Sequence, residues 1–167
     1  MLEIKPVTIE DLPIIEKLGK LIWNHNFISL ISQEQIDYMF ARGYTYEAMK
    51  KEIESNKVSY IKLLDIKELI GFGAYGATNN TGEIQVYKLY IHPDHQYKGL
   101  VNNLLQYIEN QAAQSHYKYL TLSVNKNNKA AISSYLKYGF AIEKSLVIDI
   151  GNGFVMDDYL MKKPVSR

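Results

Sequence analysis

Two stretches of this 167-residue chain set out polar groups in an order that chemistry can use. The first runs EIQVYKLYI over 83–91, then HPDHQYK, then a helical pattern entered at Gly99. An apolar strand feeding a helix through a short loop aims several backbone N–H groups at one point. The positive end of the helix dipole adds to them, and such a place suits a phosphate. Gly99 permits close backbone approach there. An ordinary strand-to-helix turn is the plainer alternative. The second stretch is LTLSVNKNNKAAISSYLKYGF over 120–140, with Asn128, Ala131 and Tyr135 on neighbouring helical turns. A phenol of pKa about 10 at Tyr135 can donate a proton. The alternative is a core tyrosine beside Ile132 and Leu136, one of 14 tyrosines in the chain.

These side chains need elements to hold them. Residues 2–7 read as an edge strand, because Pro6 cannot donate to a central ladder. Helices are expected over 11–26, from Ser32 to Gly43, and from Thr45 through Glu54. Ser32 and Thr45 serve as caps, and Leu12, Ile15, Leu18 and Ile22 give the first helix its apolar face. Strands at 58–65 and 69–77 form a hairpin around Lys67–Glu68, and Asn79-Asn80-Thr81-Gly82 turns into strand 83–91. That strand is apolar and aromatic nearly throughout, so burial on both faces is expected. A helix over 97–114, a strand over 118–124 and a helix over 128–138 follow. Asn127 or Asn128 caps the last helix, and Gly139 ends it in a left-handed conformation. Strands 140–150 and 154–162 close around Gly151-Asn152-Gly153. The order β-α-α-α-β-β-β-α-β-α-β-β gives an α+β (mixed α/β) fold in one domain over 1–167. It is antiparallel first and strand–helix–strand later.

Taken together, the two stretches resemble the GNAT superfamily of acetyl-CoA-dependent N-acetyltransferases. That family's acyl-CoA motif is an apolar strand, then Q/R-x-x-G-x-G/A, then a helix. It is met here by LYIHPDHQYKGLVNNLL, with Gln96, Gly99 and Val101 at the marked positions. A second family motif, N-x-x-A-x-x-x-Y-x-x-x-G-F, is matched by Asn128, Ala131, Tyr135, Gly139 and Phe140. The resemblance implies a central twisted mixed sheet of about seven strands flanked by helices, with acetyl-CoA as cosubstrate and no metal. It implies that the amides of Gln96, Tyr97, Lys98, Gly99, Leu100 and Val101 hold the pyrophosphate. Leu89, Tyr90 and Ile91 then run beside the pantetheine arm, Asn128 and Ala131 flank it, and Tyr135 protonates the departing thiolate. Three positions depart from the family's pattern. Val101 stands where the family prefers Gly or Ala, and Tyr97 where Gly is common. Gln85 stands where many members carry a glutamate base. Glu83, two residues earlier on the same strand face, is the substitute candidate, with a solvated strand-end carboxylate as its alternative.

In this architecture Trp23, Asn24, Phe27 and Tyr38 lie in the helical segment that would line an acceptor pocket, although aromatic stripes on helices serve equally as core. Glu34, Asp37, Asp157 and Asp158 can attract a cationic amine or simply be surface charge. The segment ISQEQIDYMF and the tail DIGNGFVMDDYLMKK are similar to small bacterial members labelled diamine or polyamine acetyltransferases. The expected acceptor is therefore a primary amine of a small molecule, with a preference for diamines or polyamines, or of a peptide. A non-catalytic acyl-CoA-binding module on the same fold is the alternative. His92, Asp94 and His95 are read as loop residues and not as metal ligands.

Composition narrows the field further. Nineteen Lys and Arg against 18 Asp and Glu leave a formal charge of +1, so no nucleic-acid or membrane-surface partner is expected. The absence of cysteine removes disulfides, thiolate metal sites and a cysteine nucleophile. The start MLEIKPVTIEDLP lacks the apolar run of a signal peptide, so a cytoplasmic location is expected. The final hairpin, 140–162, offers an edge through which two copies could pair as a homodimer.

Overall fold

The computed structural model describes residues 1–96 and 98–166. It contains β1 (Leu2–Pro6), α1 (Leu12–Phe27), α2 (Gln33–Gly43), α3 (Tyr46–Glu54), β2 (Ser59–Asp65), β3 (Glu68–Ala77) and β4 (Glu83–Ile91). After these come α4 (Leu100–Gln114), β5 (Tyr119–Asn125), α5 (Lys129–Tyr138), β6 (Ala141–Gly151) and β7 (Phe154–Pro164). The strands form one seven-stranded mixed sheet in the order β1-β2-β3-β4-β5-β7-β6, and only β4–β5 among the described pairings is parallel. The element order is the one expected from the sequence.

Tertiary contacts group the chain into two compact units, one of residues 1–76 with 88–108, the other of 77–87 with 109–167. In the first, Leu12, Ile15, Ile22, Ile36, Met49 and Phe72 are fully buried, which is the apolar face expected of α1 meeting α2, α3 and the sheet. Side-chain caps set the helix starts: Ser32 Oγ accepts from the Gln35 amide at 3.1 Å, and Thr45 Oγ1 from the Ala48 amide at 3.2 Å. β3 comes very close to the end of β4. A Cβ on Gly71 would sit 2.7 Å from the Tyr90 carbonyl oxygen, and one on Gly73 3.1 Å from that of Lys88.

In the second unit, strand register sorts the side chains by face. Gln85 lies opposite Thr121, Thr121 opposite Lys162, and Asn125 opposite Asp158. With a period of two, Glu83, Gln85, Thr121, Asn125, Asp158 and Lys162 share one face. Buried Ile84, Leu120, Leu122, Val124 and Met161 occupy the other. The parallel pairing of β4 with β5 covers Glu83–Gln85 against Tyr119–Thr121, and β5 runs on to Asn125. β6 is the last strand of the sheet and is exposed along most of its length, with Val147 69% accessible.

Three local expectations are corrected. The first hairpin turns at Ile66–Lys67, both with positive φ (47° and 67°), and Glu68 already pairs with Asp65. Two left-handed residues match the twist of the flanking strands, so this turn closes one residue earlier than read. α4 begins at Leu100 and not at 97, because Pro93–His95 take a 3₁₀ turn and Gly99 has φ 75°. β4 is not buried on both faces: Tyr87 is 40% exposed, whereas Lys88 is buried.

Candidate active site

The turn expected to bind a phosphate starts where β4 ends. The His92 amide donates to the Ile70 carbonyl at 2.7 Å, which fixes the end of β4 to β3. His92 Nδ1 accepts from the Asp94 amide at 3.0 Å and so caps the 3₁₀ turn. Gln96, expected to face the cofactor, uses its side chain otherwise. Its Nε2 donates to Asn26 Oδ1 at 2.9 Å and to the Ile91 carbonyl at 3.1 Å, tying the end of α1 to the end of β4. Its backbone amide also turns inward, donating to the Pro93 carbonyl at 3.4 Å. Tyr97 lies outside the described residues. Lys98 and Gly99 are exposed, and Leu100 and Val101 half-buried. Gly99 has φ 75° with nothing within 4 Å of where a Cβ would stand. The Asn102 amide reaches the Gly99 carbonyl at 3.1 Å, so the helix closes its first hydrogen bond there. Amides at the helix entry have no intrahelical partner and point outward along the helix dipole. This exposed, glycine-opened turn fits the pyrophosphate of coenzyme A.

Of the three residues expected beside the pantetheine, Leu89 is half-buried and Ile91 is core. The Tyr90 hydroxyl shares a 2.7 Å hydrogen bond with that of Tyr44. Its ring packs among Trp23, Tyr44 and Phe72 at 6.2, 5.7 and 5.5 Å. The side chain of Tyr90 is therefore structural, and its backbone carries any function.

The second motif folds as read. Asn128 is the cap of α5: its Oδ1 accepts from the Ala131 amide at 3.3 Å. Gly139 ends the helix at φ 125°. Tyr135 is half-buried, and burial pushes its phenol up to about 12. Its ring meets Phe140 edge-on at 6.1 Å, and no hydrogen bond reaches its hydroxyl among the described residues. The neighbouring tyrosines differ. Tyr138 donates to Glu109 at 2.6 Å, and Tyr60 donates to Glu52 at 2.8 Å. Burial keeps the Tyr135 phenol protonated at neutral pH.

Glu83, the substitute base, is engaged. Its Oε2 receives Lys162 at 3.1 Å and its Oε1 receives the Asn80 amide group at 3.3 Å. Each oxygen of the carboxylate therefore already accepts one hydrogen bond.

The four expected acceptor residues do not form one pocket wall. Trp23 is only 4% exposed and belongs to the core, with the Phe27 ring tilted against it at 4.5 Å. Asn24 donates to the Lys20 carbonyl and accepts from Gln33, each at 2.8 Å. Tyr38 is half-buried, with Arg42 5.5 Å over its ring. Asn24 alone of the four lines a groove of about 420 Å³ between α1 and α2, with Glu16, Lys17, Lys20, Asp37 and Phe40 among its other walls.

Sequence reasoning missed one cluster. Lys88 is buried and donates to the Gly43 carbonyl, to the Tyr60 hydroxyl and, at 3.1 Å, to Glu52. Its ammonium also lies 4.2 Å from the Tyr44 ring centroid. Burial lowers its pKa, opposed by Glu52, and burial first of all raises those of Tyr44 and Tyr60. The signal was a lone lysine inside an otherwise apolar strand. The cluster anchors β4 immediately before Leu89. Among the described residues no three His, Cys, Asp or Glu side chains are grouped so as to hold a metal ion. Among the described residues no helix is long and apolar enough to cross a membrane.

Comparison with known proteins agrees with this geometry. Residues 28–156 match the family model described as an acetyltransferase (GNAT) domain. The spermidine N(1)-acetyltransferase of Thermoplasma acidophilum is 26% identical over 160 residues, covering 93% of this chain and 96% of that protein. The crystal structure of the PaiA N-acetyltransferase from the same organism, in complex with coenzyme A, superposes with a TM-score of 0.84. Its identity is 24%, and 98% of this chain and 99% of that one are covered. The spermidine N-acetyltransferase of Vibrio cholerae, in complex with CoA and spermine, gives 0.71 at 22% identity over 98% and 95% of the two chains. With the family model spanning most of the sequence, the chain belongs to the GNAT acetyltransferases, whose acetyl donor is acetyl-CoA.

Proposed function

We propose that this enzyme acetylates a primary amine of a small diamine or polyamine, with Tyr135 as the general acid. The observation that carries the reading is the unpartnered hydroxyl of Tyr135 on a helix whose cap and terminator are both in place. Acetyl-CoA supplies an activated acyl group and a thiolate leaving group. The protein supplies position and protons. Amides of the 96–101 turn hold the diphosphate, and a backbone N–H near Leu89–Ile91 polarises the thioester carbonyl. The free amide nitrogen of Asn128 serves the pantetheine or nearby backbone. The Tyr135 hydroxyl donates its proton to the departing sulfur, since a thiol of pKa about 8.5 leaves more readily once protonated.

The acceptor attacks as the neutral amine. Glu83 is bound to Lys162, so the reading gives the amine's proton to water and not to Glu83. The preference for a diamine or polyamine rests on the Thermoplasma relative, named for spermidine, and on the Vibrio structure, solved with spermine. The exposed edge of β6 suits a second copy of the chain as a partner.

The test is calorimetric titration with acetyl-CoA, with desulfo-CoA and adenosine diphosphate as controls, followed by turnover against spermidine, putrescine and monoamines. Micromolar binding that needs the pantetheine arm, with turnover of a diamine or polyamine, supports the reading. Folded protein that binds acetyl-CoA but acetylates no amine returns it to a non-catalytic acyl-CoA-binding module.

A further inference from the structure

β7 brings one carboxylate into the protein with nothing to neutralise it. Asp158 is 4% exposed, and among the described residues no hydrogen bond or ion pair reaches its side chain. It lies opposite Asn125 at the end of β5 and opposite Leu146 of β6. Neither neighbour brings a charge. The charges nearby are Asp157, on the same strand, and Lys126, in the turn after β5, and these two pair with each other at 2.6 Å. Lys126 is thereby spoken for, and Asp157 adds repulsion. Burial first, and Asp157 second, push the Asp158 carboxyl up to about 6 against the pull of Lys126. A carboxylate mostly withdrawn from water with no cation bonded to it is costly, and such groups occur where a ligand brings the missing charge.

Its place fits that role. Asp158 shares a sheet face with Gln85, the position at which the family's glutamate base stands. It sits on β7 beside the end of β5 that runs on past Thr121, the last residue there paired with β4.

We propose that Asp158 receives an ammonium group of the acceptor, and that this is the ammonium that does not react. The distinction follows from charge. A carboxylate holding the reacting nitrogen would keep it protonated and non-nucleophilic, whereas one holding a distal ammonium positions the chain and leaves the reacting amine free. The ligand class is a short polycation with amines separated by alkyl spacers. The inference rests on the amine-acetylating reading above, and it names the residue that makes the enzyme select diamines and polyamines over monoamines.

The experiment compares wild type, Asp158→Asn and Asp158→Glu, with spermidine and butylamine as acceptors. In wild type, kcat/KM for spermidine rises as pH increases through about 6. Asp158→Asn raises the spermidine KM tenfold or more, leaves kcat within about twofold, removes that pH limb and narrows the spermidine-to-butylamine ratio. The acetyl-CoA Kd stays unchanged, and Asp158→Glu restores part of the spermidine KM. An Asp158→Asn enzyme that keeps the wild-type spermidine KM and pH limb overturns the inference. Should wild type bind acetyl-CoA and acetylate neither amine, the functional reading falls. Direct titration of spermidine into wild type and Asp158→Asn then decides the residue by itself: tighter binding to wild type supports it, and equal binding overturns it.

Discussion

β7 carries two buried charges five residues apart, on opposite faces of the sheet, and they have opposite fates. Lys163 donates to Glu109 at 2.5 Å, to the Pro164 carbonyl and to Ser166 Oγ. Glu109 also receives the Tyr138 hydroxyl at 2.6 Å and the Ser166 amide at 2.8 Å. Burial raises the Glu109 pKa, but its hydrogen bonds from Lys163, Tyr138 and Ser166 outweigh this and hold it below the usual range. Asp158 has none of these partners, and its pKa moves the other way. α5 repeats the contrast three residues apart, with Tyr138 bonded and Tyr135 free. Buried polar groups with every partner in place hold the fold together. Tyr135 and Asp158, which have no such partner, are the two that the proposals above give to substrates.

The comparison can be broken from either side. The largest effect is expected where the satisfied network loses a member. Lys163→Met leaves Glu109 buried without its cation, which costs about 3–5 kcal/mol and lowers the melting temperature by roughly 10 °C. A melting temperature within a few degrees of wild type would show that the pair contributes little.

Tyr135→Phe comes next. It lowers kcat about 100-fold, the low end for general acid catalysis, with acetyl-CoA affinity and thermal stability close to wild type. Unchanged turnover at saturating substrates would remove Tyr135 from the mechanism. Asp158→Asn stabilises the protein, and the sign depends on pH. A carboxyl raised in the folded state from 3.8 to about 6 favours folding less as pH climbs between those values, and the deficit persists above them. At about 1.4 kcal/mol per unit the deficit approaches roughly 3 kcal/mol, from which a buried amide subtracts some. The variant should therefore gain about 2 kcal/mol in denaturant unfolding at pH 8 and nothing near pH 4. Equal stability at both pH values would mean the carboxylate is not strained.

The smallest effect is expected of Tyr138→Phe. It costs about 1.5 kcal/mol, the lower end for a hydrogen bond to a charged group, and leaves kcat within twofold. A large loss of turnover there would erase the distinction between the two tyrosines.

What the sequence made legible was local. Asn128 as cap, Gly139 at positive φ and the Asn152–Gly153 turn act within three or four residues, so short patterns carry them. The same holds for the caps at Ser32 and Thr45. The hairpin at Ile66–Lys67 was misplaced because neither residue type announces a left-handed conformation, and pairing with the neighbouring strand decides it. Lys88 and Asp158 look like ordinary strand charges until register places one among Tyr44, Tyr60 and Glu52 and the other between Asn125 and Leu146. Burial of a charge is a long-range property, and one-dimensional spacing does not contain it. Glu83 shows the converse. Its position on the face was legible, and its partner Lys162, 79 residues away, was not.

The glycines of β3 have a consequence for how this sequence can vary. At Gly71 the space a Cβ would need is taken by the backbone carbonyl of Tyr90 at 2.7 Å and by Ile91 Cδ1 at 2.9 Å. No rotamer change relieves a clash with main chain. A side chain at 71 must displace the segment that holds Leu89 to Ile91. A library randomised there samples altered spacing between β3 and β4 more than altered side-chain chemistry.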